Sequence, residues 1–343
     1  MSDEKQAQKS DSQESLAWLS SASKRFGQVS ADAEFRYSGK SDDHFSVAET
    51  WWFDAIAPEA GFMANFYISM RPNLKICSAG TWMWSGDKTT QLMGDHLNFQ
   101  VFLPEPEFSE NKIRVPEVGL EFEFIEPLEV VRIRYAPPGF SVSADLEVKA
   151  LTVPVVRSNE RHFEQAMWTR GWIEIGGRRI EIDGPSFRDR SWGEARSELP
   201  LAFPPIGWLY GVVDNGKAAF NLSGCDDPTS SVPWASTYPL QRSDLFLDGW
   251  IWCDNHLRKV TGMAKQTVRE GNRLEPKKIM VDFEDEDGVS HRLEGETRSR
   301  FNMHFWPNLN SFFSLTEWKL DGLEGYGGAQ DYAWPDYCQR FWK

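Results

Sequence analysis

The chain has 343 residues, enough for two domains of roughly 150 each whose cores need no disulfides. Its 51 acidic and 37 basic residues leave a net charge of −14, which disfavours nucleic-acid phosphates and anionic lipid surfaces as partners. No apolar run is long enough to span a bilayer, and Met1–Glu14 is too polar for a secretory signal, so the expected compartment is the cytoplasm.

The four cysteines (Cys77, Cys225, Cys253, Cys338) lie far apart and form no C-x-x-C pair. They read as free thiols, and with six scattered histidines they make no zinc spacing, so neither metal nor cofactor is expected. Sixteen Trp and 23 Phe are a heavy aromatic load, which a core or a ligand cavity could absorb.

Along the chain, residues 1–30 are polar and read as a flexible tail with at most a helical turn near Trp18. Period-two alternation then takes over. Strands are expected at Ala48–Phe53, Phe62–Met70, Thr81–Trp84 and Leu97–Phe102. Leu120, Phe122 and Phe124 alternate with Glu121 and Glu123; Val131, Ile133 and Tyr135 alternate with Arg132 and Arg134. Pairing these two segments puts acids opposite bases on the outer face, worth a few tenths of a kcal/mol per pair. Ser141–Lys149 is the cleanest half-buried strand. Gly176-Gly177, Asn215-Gly216 and Asp287-Gly288 each join two β-patterned segments as hairpin turns, the first placing Ile173 opposite Ile180. Further strands are expected at Leu247–Trp252, Arg300–Phe305 and Ser311–Leu320. Many short strands joined by turns define an all-β protein rather than alternating α/β units. A proline-containing connector puts the domain boundary near residue 197, giving domains 31–196 and 197–343.

The densest chemistry lies in Gly184–Arg196, which carries Asp189, Arg188, Arg190, Arg196 and Trp192. Its Asp189-Arg190-Ser191-Trp192-Gly193 element resembles the Asp-x-Ser/Asn-Trp-Gly element of the carotenoid 1,2-hydratase-like proteins and their lipocalin-like relatives. His162-Phe163-Glu164-Gln165 resembles another recurring segment of that group. Trp51-Trp52-Phe53-Asp54 and Trp208-Leu209-Tyr210-Gly211 look like the aromatic strands that open each barrel. The likeness covers about residues 45–330, and Arg190 stands where many relatives carry His. It implies two consecutive lipocalin-like antiparallel β-barrels, with a site near their junction. It also implies activities such as water addition to terpenoid alkenes or cyclisation of polyenes.

Chemistry of that kind passes through carbocation character and needs a carboxyl kept protonated in an apolar pocket. It also needs aromatic faces, worth about 0.5–2 kcal/mol each to a cation. Asp189 is the candidate proton donor, although flanking arginines could instead hold it as an ion-paired carboxylate. His162 and Glu164, two apart on one strand, face the same side and could position water, or could simply satisfy each other. Tyr210 is a candidate orienting donor; Trp52, Trp192, Trp208 and Arg188 are candidate ligand contacts. Gly211–Lys217 mimics phosphate-loop spacing, but Ala218 replaces the magnesium-binding hydroxyl and the segment is a hairpin. The sequence therefore points to a binder of a hydrophobic small molecule (terpenoid, steroid or polyene) that catalyses cofactor-independent hydration, dehydration, isomerisation or cyclisation. A non-catalytic carrier is the alternative, and a protein-binding scaffold, which would have no ligand-sized cavity, is another. Oligomeric state is not encoded legibly.

Overall fold

The computed structural model describes residues 29–341 apart from 38–42, 89, 158–159, 197–202, 231, 239, 241–244, 270–274 and 307. The expected tail, except for residues 29 and 30, and the expected boundary at 197 lie outside the described residues.

The fold is antiparallel β, in two sheets. The first follows the order His96–Pro104, Ile76–Ser85, Phe62–Arg71, Val47–Ala57, Arg178–Ala195, His162–Ile175, Val142–Ala150, Val130–Tyr135, Leu120–Glu126, Lys112–Val115, Glu107–Ser109. It curls around a core that includes Trp51, Phe53, Phe66, Phe122 and Ile133, yet stays a half-barrel. Its two edges meet in sequence at Pro104-Glu105-Pro106, where prolines supply no N–H to close a ladder. The expected cross-strand charges pair as read: Glu121 lies opposite Arg134 and Glu123 opposite Arg132, with Arg134 bonded at 2.7 Å to both acids. Ile173 stands opposite Ile180, across a turn in which Gly176 and Gly177 both take positive φ (57° and 79°).

The second sheet closes. From Pro276–Asp285 it runs through His256–Arg269, Phe246–Cys253, Ala218–Gly224, Ile206–Val213, Leu323–Ala333, Leu309–Leu320 and Ser290–Trp306, and the last strand pairs back with the first. Side chains such as Phe220, Trp318, Ile251 and Phe283 pack its interior. A short helix, Pro335–Phe341, joins Trp234 and Tyr238 over one end, an element the β pattern did not announce.

The two sheets pack back to back. Alternation along Val47–Ala57 sends Trp51 and Phe53 into the half-barrel core and Trp52 and Ile56 to the junction. Along Ile206–Val213 it sends Leu209 and Val213 into the barrel and Trp208, Tyr210 and Val212 to the same junction. Asp87 and Lys88 cross over to pair in parallel with Arg300 and Phe301, and Asp87 forms an ion pair with Arg300. Buried aromatics thus sit in the half-barrel core, in the closed barrel, at the seam between them and under the cap over one end.

Candidate active site

A cavity of about 440 Å³ opens at this seam, within the size range of small-molecule sites. The half-barrel contributes Trp52, Tyr67, His162, Asp189 and Ser191; the closed barrel contributes Trp208, Ser223, Gln330 and Tyr332, with Trp306 and Leu309 toward the rim. Arg157 and Arg196 add two cations.

The long hairpin His162–Ile175/Arg178–Ala195 sets the chemistry. Its register puts Glu164 opposite Asp189 and His162 opposite Ser191, all on the junction face. Strand alternation turns Arg188 and Arg190 the other way. There Arg188 forms an ion pair at 2.8 Å with Glu34 and bonds Gln165, while Arg190 forms one at 2.7 Å with Glu49. All four charged side chains are buried. Arg190 also holds the backbone carbonyls of Ala33 and Phe35, so the two arginines clamp residues 33–35 over the half-barrel core. The neighbours that could have neutralised Asp189 are therefore committed elsewhere.

Asp189 is left without a partner: its Oδ1 is buried and no described donor reaches it. Burial lifts its carboxyl to about 7; Arg196 opposes the rise and the Glu164 carboxylate adds to it. Part of the side chain faces the cavity, but the group lies deep enough that cavity exposure does not restore bulk solvation. Glu164 is the opposite case. Burial alone would raise it, but Arg157 and His162 bring it down to about 2. It accepts from Arg157, from Trp208 Nε1 at 3.0 Å and from Trp250 Nε1 at 3.3 Å, with His162 Nε2 also at 3.3 Å. Burial, with Arg157 adding, lowers His162 to about 4 and keeps the imidazole neutral. Two carboxyls on adjacent strands are thus driven apart in proton affinity, Asp189 raised to about 7 and Glu164 lowered to about 2.

The predicted residues divide accordingly. Asp189, His162, Trp52 and Trp208 line the cavity, and Glu164 sits directly behind it. Tyr210 is fully buried beneath it, against Trp52 (5.6 Å), Trp208 (4.7 Å) and the Asp54 carboxyl. Arg188 and Trp192 do not reach the cavity: Trp192 packs with Phe163 and Arg190 on the opposite face. The sequence reading gives Arg196 no role and misses Arg157, Tyr67, Gln330 and Tyr332. The last two lie on Leu323–Ala333, whose glycines blur its strand pattern. Those glycines are required, because a Cβ on Gly328 would stand 2.1 Å from the Tyr210 hydroxyl oxygen. Among the described residues no cluster of His, Cys, Asp or Glu could hold a metal ion, and no helix is long and apolar enough to cross a membrane.

Fold and site together define a class: antiparallel β proteins in which a half-barrel and a closed eight-stranded barrel enclose an aromatic, acid-bearing cavity at their seam. Within it, a family profile matches residues 33–335, and the chain belongs to that family, a domain of unknown function (DUF7064). No curated protein sequence matches the chain. Among solved structures it is similar to kievitone hydratase from Nectria haematococca, at 11% identity and a TM-score of 0.58 over 91% of this chain and 94% of that one. A protein provisionally named AttH from Nitrosomonas europaea aligns at 11% identity and 0.57, covering 88% and 98%. CghA aligns at 12% and 0.53, covering 88% and 94%. At these identities the likeness is one of fold, and at that level the resemblance seen in the sequence holds.

Proposed function

We propose that the seam cavity binds a hydrophobic small molecule and that Asp189 transfers a proton to it. The reaction would be a cofactor-independent hydration, dehydration, isomerisation or cyclisation. The observation that carries this reading is the unpartnered Asp189 carboxyl, raised to about 7 and opposite an ionised Glu164. A carboxyl of that kind is half protonated near neutral pH, where acid catalysis contributes about 10²–10⁴-fold.

Protonated Asp189 donates to an alkene carbon or to a departing hydroxyl, and its conjugate base later recovers the proton from water or from carbon. The developing cation lies against Trp52 and Trp208, whose rings meet edge to face at 5.2 Å. Trp208 gives its N–H to Glu164, which fixes how the ring is presented. Neutral His162 holds water beside the acid. The apolar walls suit terpenoid, steroid or polyene skeletons, and the hydratase among the similar folds supports the reaction class by analogy only.

The test is native mass spectrometry of protein from its own host, then extraction of the bound molecule and incubation with the Asp189→Asn variant. Loss of turnover by about 10²–10⁴-fold in a folded variant is expected. Full turnover in that variant removes the acid assignment. A bound ligand left unchanged by the wild type on long incubation turns the reading into that of a carrier.

A further inference from the structure

Resting on the reading above, the charges of the cavity narrow its ligand. Four charged side chains border it: Arg157, Arg196, Asp189 and Glu194. Arg157 is spent, bound to Glu164 and 3.8 Å from Asp248. Arg196 is not. Among the described residues no carboxylate lies within ion-pair distance of it, and this includes Glu194, two residues earlier on the same rim. Yet its guanidinium is held in place: Nη2 donates to Ser191 Oγ, and Cζ lies 5.2 Å from the ring centroid of Trp306. Ser191 is fixed in turn by Thr50, oxygen to oxygen at 2.5 Å. Among the described residues, Ser191 is the one hydrogen-bond acceptor of the Arg196 side chain, which lines the cavity. The Arg196 charge also opposes the rise of the Asp189 carboxyl, and both groups line the same cavity.

A half-buried guanidinium that is held in orientation, with no counter-ion among the described residues, suits an anionic group of a ligand. Its planar fork matches two coplanar oxygens, and a bidentate contact would fix the ligand's direction as well as its affinity. We infer that the ligand is an amphiphile whose apolar body lies against Trp52 and Trp208 and whose carboxylate is clamped by Arg196. The clamp would sit on the Ser191 side of the cavity and bring the ligand's nearer carbons against Asp189. Arg196 is thus a specificity-determining residue, separate from the acid.

Retinoic acid and retinol share one apolar polyene skeleton and differ in the head group, and both quench tryptophan emission, so the cavity's own indoles report binding. The wild type should bind retinoic acid about tenfold or more tighter than retinol, the gain of a charge-assisted hydrogen bond. Arg196→Gln should abolish that preference while keeping affinity for retinol, and Arg196→Lys should restore part of it. Asp189→Asn should keep or strengthen the preference, because it removes a partly ionised carboxyl that competes with the ligand's carboxylate for Arg196. Equal binding of the two probes by the wild type, or a preference that survives Arg196→Gln, overturns the clamp and leaves the acid reading standing. Turnover surviving Asp189→Asn overturns the acid and leaves the clamp. Binding of neither probe overturns both.

Discussion

One strand, Arg178–Ala195, handles charge in two opposite ways on its two faces. Toward the half-barrel core, Arg188 and Arg190 each meet a buried glutamate at hydrogen-bond distance. Toward the seam, Asp189 lies between them in sequence, and among the described residues its buried Oδ1 has no hydrogen-bond partner. Buried charge is tolerated when paired and changes its protonation when it is not. The first face therefore stabilises one arrangement of the chain, whereas the second stores a proton at a cavity wall. A strand that alternates every residue lets both arrangements stand within about 3.3 Å of rise of each other.

Breaking the paired face should produce the largest effect. Arg190→Met leaves Glu49 buried without its cation, and such a loss typically costs about 3–5 kcal/mol. Denaturant unfolding should show a drop of that order, whereas a drop below about 1 kcal/mol would mean that water already screens the pair. The double variant Arg190→Met/Glu49→Leu should recover much of the loss, since removing both charges spares the uncompensated one.

On the unpaired face the sign reverses and depends on pH. Asp189 titrates near 7 in the fold, against an ordinary carboxylate in the unfolded chain, so between pH 4 and 7 the native state holds the extra proton. Its contribution to stability is fully present below about pH 4 and is lost as pH rises to about 7, at roughly 1.4 kcal/mol per pH unit. Asp189→Asn removes this term, so the variant should gain on the wild type across that window and hold a constant advantage above it. A difference between the two that stays flat from pH 4 to 8 would show that the carboxyl is not raised.

How much of this was legible follows from what sets each feature. The Glu121–Arg134 pairing, the hairpins and the all-β class come from local alternation and turn chemistry, which a string displays. Asp189, His162 and Trp208 were found through a motif and its resemblance. The sequence reading takes Arg188 as a ligand contact and the flanking arginines as possible partners of Asp189; strand alternation turns both to the opposite face, and which face looks onto a cavity depends on the second sheet. Glu34 and Glu49, the partners that release Asp189 from its neighbours, lie 154 and 141 residues from the arginines they bind. Gln330 and Tyr332 were hidden in a strand that needs glycine for Tyr210 to fit.

Glu164→Gln sharpens the contrast with a smaller change. The Glu164 charge helps hold the Asp189 proton, so its removal should lower the pH at which Asp189 titrates. Carbon-13 NMR of the aspartate carboxyls reads this without a substrate, and in a turnover assay the alkaline limb of the pH–rate profile should move down. A titration midpoint that rises or stays fixed would mean that Glu164 acts on the indoles of Trp208 and Trp250 alone.

The smallest effect belongs to charge pairing of the same chemistry placed in solvent. Arg134 bonds both Glu121 and Glu123 at 2.7 Å, as short as the Arg190–Glu49 pair, but its side chain is 38% exposed. Water already solvates these groups, so the pair gains little and its loss strands no buried charge. Arg134→Ala should therefore cost about 0.2–1 kcal/mol, and less at high salt. If it cost as much as Arg190→Met, the contrast between the faces would come from pair geometry, and burial would not be what separates them.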